Sequence, residues 1–433
     1  MTRPTSDGRP DPSRSRLTAL LDAGGDRTPK RRFPGGERTV APEETLARLR
    51  PFLARAGITR LSNITGLDTV GIPVTLATRP NGRVLSVSAG KGLSISAALV
   101  SAAMESMELH HAEVEWSPVT VRRSYDEMQL EHHVPDRSEL PLARAAPFPG
   151  DWPYLWTWGC DLVSGDDIAL PVSMVHMGNR GSRVFDLFSF QVTSNGLASG
   201  NVLVEAVHAA LLEVIERDAA TCHAERWRRG SPPPLVDLDA VTFPTVRDVL
   251  DRLTRAKVLT VVFDCSVDTQ VPVYMANVMD TDNSVAGTFS GFGAHLDPEI
   301  AMTRAITEAV QARTVTIAGS RDDLYRHREV VRQASAEHPR GWEPTLEAAP
   351  AAPPPPPSRA ASSFEDDLEV LVRSIESVGL RRVVVFDLSS AWFPMSVVKV
   401  VVPGLEGYRM ANFAPGPRAT AFARTGIEGP TRR

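Results

Sequence analysis

Residues 194–227 constrain this chain more than any other stretch. Small residues, among them Ser194, Gly196, Ser199 and Gly200, lead straight into a long apolar segment. There Leu203, Val207, Ala210, Leu211, Val214 and Ile215 recur at three- and four-residue steps, the period of a helix with a buried face. The glycines stay in the leading segment, so the reading is a loop, Ser194 to Asn201, followed by a helix. Three acids, Glu205, Glu213 and Glu216, interrupt the apolar run, and Arg217 follows at once. Glu213 and Glu216 are three apart and share a helix face. Like charges at that spacing repel by about a few tenths of a kcal/mol even in water. A cation between them is expected.

The same sentence is written twice more. Residues 90–108 run from Gly90-Lys91-Gly92 into an Ala-rich helix that carries Glu105 and Glu108, again three apart. Gly92 and Gly200 precede the first acid of their pairs by the same distance. Residues 291–313 begin Gly-Phe-Gly-Ala-His, and Asp297-Pro298 supplies an N-cap and a favoured first helical residue. That third helix carries Glu308, Gln311 and Arg313. Internal similarity of this kind points to one repeated structural device.

Two readings of the repeat are open. The acids can be the solvated faces of amphipathic helices, where Glu is simply a good helix former. Alternatively, glycine loops at helix N-termini offer N–H groups to phosphate, and the carboxylates hold a hard cation such as Mg²⁺ against it. Two familiar sites are excluded. Lys91 is followed by Gly92, so the first loop is not a P-loop. A di-metal carboxylate bundle wants Glu-x-x-His on two helices, and at the second place of the three repeated pairs Glu108, Glu216 and Gln311 stand instead of His.

The repeats reach a family. Asn201-x-x-x-Glu205 followed by Glu213-x-x-Glu216-Arg217 resembles the ATP-binding signature of the YcaO family. Ser101-x-x-x-Glu105-x-x-Glu108 is similar to its first ATP motif, and Glu308-x-x-Gln311-x-Arg313 to its third. The resemblance runs from about Arg38 to about Gly407. It implies binding of ATP and Mg²⁺ without a P-loop, and use of ATP to activate a peptide backbone amide so that a nucleophile replaces its oxygen. It implies that Glu105, Glu108, Glu213 and Glu216 hold Mg²⁺, with Glu213, Glu216 and Arg217 catalytic. Ser101, Asn201, Glu205, Arg217, Arg304, Glu308, Gln311 and Arg313 fix the nucleotide. Arg38 and Thr45 match a basic and a hydroxyl residue, seven apart, that approach the nucleotide in the family. Leu109 stands where the family often carries Arg after the second acid, which removes one candidate phosphate contact.

Subgroup features separate the products. Azoline-forming relatives commonly finish in an alternating proline run, whereas this chain ends Ile-Glu-Gly-Pro-Thr-Arg-Arg. The Arg38-to-Asp68 stretch and His111-Ala112-Glu113 look most like the subgroup that installs thioamides with a TfuA-type partner. Thioamide formation on a ribosomally made peptide or protein is therefore the expectation. An azoline-forming cyclodehydratase and a non-catalytic peptide-binding module are the alternatives. The resemblance is compatible with a homodimer.

Composition bounds the rest. A formal charge of -5 leaves no basic footprint for nucleic acid, and no apolar run is long enough to cross a bilayer. The N-terminus lacks the apolar core of a signal peptide. Cys160, Cys222 and Cys265 are odd in number and widely spaced, which argues against disulfides and for a reducing cytoplasm. Adjacent His110 and His111 point to different sides of a helix and make a poor joint metal site.

Along the chain, residues 1–32 read as a disordered tail and 33–410 as one YcaO domain whose core motifs span 88–320. The proline-rich segment 339–363 reads as a surface linker within it, and 411–433 as an irregular tail. A helix opens at Pro42, and Asn81-Gly82 signals a hairpin. Strands are expected at 154–162, 168–175, 184–192, 258–265, 271–279, 286–290, 382–388 and 396–402, and a helix at 366–379. Hairpin turns between strands favour mixed or antiparallel sheets with helices on one face, an α+β fold.

Overall fold

The computed structural model describes residues 17–21, 25–115, 118–178, 186–281, 287–320, 342–407 and 414–425. Most of the expected N-terminal tail, the first two residues of the 184–192 strand, Ala286 and much of the C-terminal tail lie outside the described residues.

Elements run as follows. The hairpin strands β1 (Arg31–Phe33) and β2 (Gly36–Arg38) precede α1 (Pro42–Leu49), β3 (Arg60–Asn63), β4 (Val74–Thr78) and β5 (Val87–Lys91). Next come α2 (Ile95–His110), β6 (Val121–Ser124), α3 (Tyr125–Glu131), β7 (Pro153–Asp161), β8 (Asp167–Pro171) and β9 (Leu197–Gly200). Then follow α4 (Leu203–Trp227), α5 (Pro244–Arg255), β10 (Val258–Asp264), β11 (Val273–Asp280), β12 (Phe289–Ala294) and α6 (Pro298–Ala318). The chain continues through α7 (Glu343–Ala348), α8 (Phe364–Ser377), β13 (Val384–Asp387), β14 (Ser396–Val401) and α9 (Pro417–Phe422). Every strand pair within these sheets is antiparallel. The α+β expectation holds.

The chain forms two compact units. The small-sheet unit takes Lys30–Met107 and Arg226–Ala360. It holds the β1-β2 hairpin and two three-stranded sheets, β3-β4-β5 and β10-β11-β12. β11 is central and buried along nearly its whole length, which is why Val273–Met279 reads as a near-continuous apolar run. α6 packs on β12 and β11. Its start is fixed by Asp297, whose Oδ1 accepts from Glu299 N at 2.9 Å, with Pro298 in the first turn. It stops at Gly319 in the left-handed conformation. α5 seals one side with Val246, Val249, Leu250 and Leu253, each buried. Each such aliphatic side chain contributes about 1.5–3 kcal/mol. The exposed proline run lies along this unit: Leu235 N donates to Pro350 O, and Ala352 N to Leu235 O.

The six-stranded unit takes Met1–Pro29, Glu108–Glu225 and Ala361–Arg433. Its sheet runs β6-β7-β13-β14-β9, with β8 also on β7. α4 is buried on most of its circumference, so it has no single polar face.

Four expectations need correction. The segments read as glycine loops before each helix are strands: β5, β9 and β12. Their glycines serve the packing of each strand on its own following helix. A Cβ at Gly90 would lie 2.1 Å from Ala102 N, at Gly200 2.5 Å from Ala206 N, and at Gly291 2.2 Å from Ala309 N. Second, the described part of 184–192 is not a strand. Leu187 and Phe188 take positive φ, and the segment turns, with Ser189 N donating to Asp186 O. Third, the C-terminal segment is not wholly irregular. α9 is anchored where Asp218 receives Arg418 Nε at 2.8 Å and the Glu406 carboxylate accepts the backbone N–H of Gly416 and Ala419.

At the N-terminal end, Arg27 pairs with Asp366 and Glu369, Thr28 bonds Glu365, and Arg31 starts β1, so residues 27–32 are ordered in place of the expected tail.

Candidate functional site

The first and third repeats leave their polar stripe as the less buried face of the helix. On α2 the stripe is Ser101, Glu105 and Glu108, all half-buried among buried neighbours. On α6 it is Arg304, Glu308 and Gln311. α4, buried on most sides, leaves Glu213 and Arg217 half-buried, while its acids Glu205 and Glu216 are buried. The solvated-face reading fails for two of these acids: Glu205 and Glu216 are 2 % and 3 % exposed.

The six-stranded unit gathers the central signature. Asn201 Nδ2 donates to Glu205 Oε1 at 3.1 Å, which holds the buried carboxylate from the helix start. Arg217 stands 3.9 Å from Glu213 Oε1 and 3.7 Å from Glu216 Oε1. Those separations exceed the roughly 2.7–2.9 Å of a tight charge-assisted bond. The guanidinium therefore neutralises the paired acids without clamping either. Ser199 on β9 donates to Glu108 Oε1 at 2.5 Å, bringing the last acid of α2 to the strand that leads into α4. Lys399 on β14 completes the group. It is 2 % exposed, donates to Thr193 O at 2.6 Å and feels Glu213. Burial pushes its ammonium down to about 8, and Glu213 opposes that shift.

The small-sheet unit gathers the third motif. Glu308 is held by Lys91 Nζ at 2.6 Å and by Phe292 N at 3.4 Å. Arg313 is buried between Asp68, 3.0 Å from its Nε, and Asp280, 2.9 Å from its Nη1. Those bonds hold the guanidinium charged, against burial. Arg38 is exposed and donates to Glu37 O at 2.7 Å. Thr45 is buried in α1, its hydroxyl on Ala41 O at 3.3 Å.

Lys399, Ser199, Lys91, Asp68 and Asp280 were not singled out from the sequence. Lys399 carried a signal, a lone charge inside Ser-Val-Val-Lys-Val-Val. The acid partners of Arg313 carried none, being far away in the chain.

The histidines behave as expected of adjacent helical residues. Their rings sit edge to face with centroids 5.8 Å apart. His110 pairs with Glu115, which also accepts from Trp392, while His111 bonds Ser390 and stacks on Trp392. Among the described residues no group of three or more His, Cys, Asp or Glu side chains forms a metal cluster. All three cysteines are buried, and none of them forms a disulfide among the described residues. No helix among the described residues is long and apolar enough to cross a membrane.

The donor set suits Mg²⁺. Carboxylates on helix faces are hard oxygen ligands, and Mg²⁺ is commonly held by one or two of them while phosphates and water fill the remaining positions. A preformed cluster is not required.

Three antiparallel strand–helix repeats that present paired carboxylates, with no P-loop, define a nucleotide-using α+β class distinct from the Walker proteins. A family model described as YcaO cyclodehydratase, ATP- and Mg²⁺-binding, matches residues 89–406. The chain belongs to the YcaO family, whose cofactors are ATP and Mg²⁺. It is 35% identical over 388 residues to an uncharacterized protein in the tfuA 3' region of Rhizobium leguminosarum bv. trifolii, covering 86% of this chain and 89% of that one. An uncharacterized protein of Methanothermobacter thermautotrophicus is 34% identical over 377 residues, covering 85% and 94%. In fold the chain is similar to YcaO from Methanopyrus kandleri bound with AMPPCP and Mg²⁺, at TM-score 0.65, 24% identity and coverage of 90% and 100%. It is also similar to a heterocyclase in complex with substrate and cofactor, at TM-score 0.76 and 20% identity. The match covers 91% of this chain, and 56% of the heterocyclase chain.

Proposed function

We propose that this chain uses ATP and Mg²⁺ to activate a backbone amide of a peptide or protein, and that sulfide replaces the amide oxygen to leave a thioamide. The observation that carries the reading is the 35% identity, over nearly all of both chains, to the protein of the tfuA 3' region. A TfuA-type protein is the proposed partner.

In the chemistry proposed, the amide oxygen attacks the terminal phosphorus of ATP, ADP leaves, and the amide nitrogen gives up its proton. Hydrosulfide then adds to the activated carbon, its proton passes to the nitrogen, and phosphate departs with the former amide oxygen. Mg²⁺, when bound, neutralises the phosphate oxygens. The chain's own residues position and stabilise. Glu105, Glu108, Glu213 and Glu216 are the proposed oxygen donors to the metal. Arg217, already poised over two acids, meets the charge that develops on the transferred group. Asn201 and Glu205, with Ser101, Arg304, Glu308 and Gln311, hold the nucleotide, and Arg38 and Thr45 approach it. Arg313 acts in this reading from a guanidinium fixed by Asp68 and Asp280.

A second reading, cyclodehydration to an azoline, is favoured by the likeness in fold to the heterocyclase. One experiment separates the two. Purified protein, the TfuA-type partner, ATP, Mg²⁺, sulfide and a candidate peptide are incubated and the peptide is weighed. A gain of about 16 Da supports thioamidation, and a loss of about 18 Da without need of sulfide supports the azoline. ATP left unconsumed and the peptide unchanged would favour a peptide-binding module.

A further inference from the structure

The six-stranded unit holds a cleft of about 500 Å³, open mouth included, whose wall contains Gln191, Thr193, Asn195, Val214, Lys399 and Glu406. Two of its polar groups are incompletely matched. The Lys399 ammonium has three protons to donate, and its hydrogen bond among the described residues is the one to Thr193 O. Asn195 Oδ1 is buried and accepts no hydrogen bond among the described residues. Glu406 does not answer the lysine, since its carboxylate is taken up by the N–H groups of Gly416 and Ala419. Glu213 attracts the ammonium. The cleft therefore offers a donor in want of an acceptor and an acceptor in want of a donor. Leaving such groups unmatched in a buried place is unfavourable, because neither recovers the hydrogen bonds it gave up with water. A main-chain amide brings one C=O and one N–H, and so matches both.

We propose that this cleft is a subsite for the peptide main chain, with a peptide carbonyl accepting from Lys399 Nζ and a peptide N–H donating to Asn195 Oδ1. Its backbone is built for close approach. Gly196, which follows Asn195, takes a positive φ, and a Cβ there would lie 2.2 Å from Val400 O and 2.8 Å from the Val214 side chain. Val214 lines the cleft and adjoins Glu213 on α4, which sets the subsite beside a proposed metal ligand. The inference rests on the proposed amide chemistry for the identity of its ligand. The mismatch in the cleft stands without it.

The test uses the full chain and a capped triglycine, N-acetyl-Gly-Gly-Gly-N-methylamide, titrated by ligand-observed NMR. Saturable binding to the wild type is expected, weakened at least tenfold in both Lys399→Met and Asn195→Leu. The Asn195 variant covers the chance that removing a buried cation unfolds the protein, and circular dichroism melts verify that each variant is folded. Absence of binding to the wild type, or undiminished binding to folded Asn195→Leu, would overturn the proposal. Protection of the wild type by MgATP is measured separately. Its loss with triglycine binding intact would count against the nucleotide reading alone.

Discussion

Glu213 and Glu216 sit one helical step apart in different surroundings. Glu216 has 4 % of its side chain exposed, Glu213 26 %. Both face Arg217, and Glu213 also faces Lys399. Replacing either by Gln keeps size and removes charge. On the proposed function, Glu213→Gln and Glu216→Gln each lower ATP turnover by at least about 100-fold, the scale seen when one electrostatic contact to a transition state is removed. The melting temperature should stay within a few degrees of wild type. Near wild-type turnover in both variants would remove these acids from the site. A second residue reports on stability. Burial pushes the Asp186 carboxyl up from 3.8 to about 6, only partly offset by Ser173 and Leu155. A raised carboxyl makes its favourable contribution below its unfolded value and loses it as pH climbs through the folded one. About two units corresponds to roughly 3 kcal/mol. Between about pH 4 and pH 6 the wild type should therefore lose stability relative to Asp186→Asn, and the gap should be constant above that window. Parallel denaturation curves across the whole range would show that the carboxyl is not so perturbed.

The strand–helix repeat is where sequence and structure differ most instructively. Gly90, Gly200 and Gly291 were legible as a pattern, and so were the acids placed after them. Their meaning was not legible, because a glycine that frees a turn and a glycine that admits a helix backbone look alike in a sequence. The structure decides it through distance. At Gly291 a methyl group would meet Ala309 N at 2.2 Å and Ala305 O at 2.4 Å, both backbone atoms of α6. Neither can swing away, so Gly291→Ala should destabilise by about 1–3 kcal/mol or more through overpacking. Among the described residues nothing lies within 4 Å of a Cβ placed on Gly66, and Gly66→Ala should change stability by no more than about 0.5 kcal/mol. Urea unfolding of the pair checks this, and equal effects would disprove the packing role. α5 shows the opposite case. Val246, Val249, Leu250 and Leu253 at three- and four-residue steps behind Pro244 were a legible helix that the reading passed over. The acid partners of Arg313 were not legible at all, since pairing across 245 positions with Asp68 leaves no local trace.

For the molecule as a whole, the question is whether its acids serve a nucleotide or a metal alone. The carboxylates are distributed over three helices, and among the described residues no three of them gather as a metal cluster. A site of that kind binds Mg²⁺ weakly until phosphate oxygens complete the octahedron. Protection of the fold should therefore need both components. At a ligand concentration 100 times the dissociation constant, mass action adds about 2.7 kcal/mol to the stability of the folded state. A chain of 433 residues should register that as a rise of about 3 °C in melting temperature, since an unfolding entropy of roughly 2.1 cal/mol/K per residue sums to about 0.9 kcal/mol/K. Differential scanning fluorimetry should show this rise with ATP and Mg²⁺ together, little with Mg²⁺ alone, and little with ATP in excess EDTA. The Glu213→Gln and Glu216→Gln variants should lose it. If Mg²⁺ alone gave the full rise and ATP added nothing, the acids would form a metal site without a nucleotide. The proposed amide activation would then have no source for its leaving group.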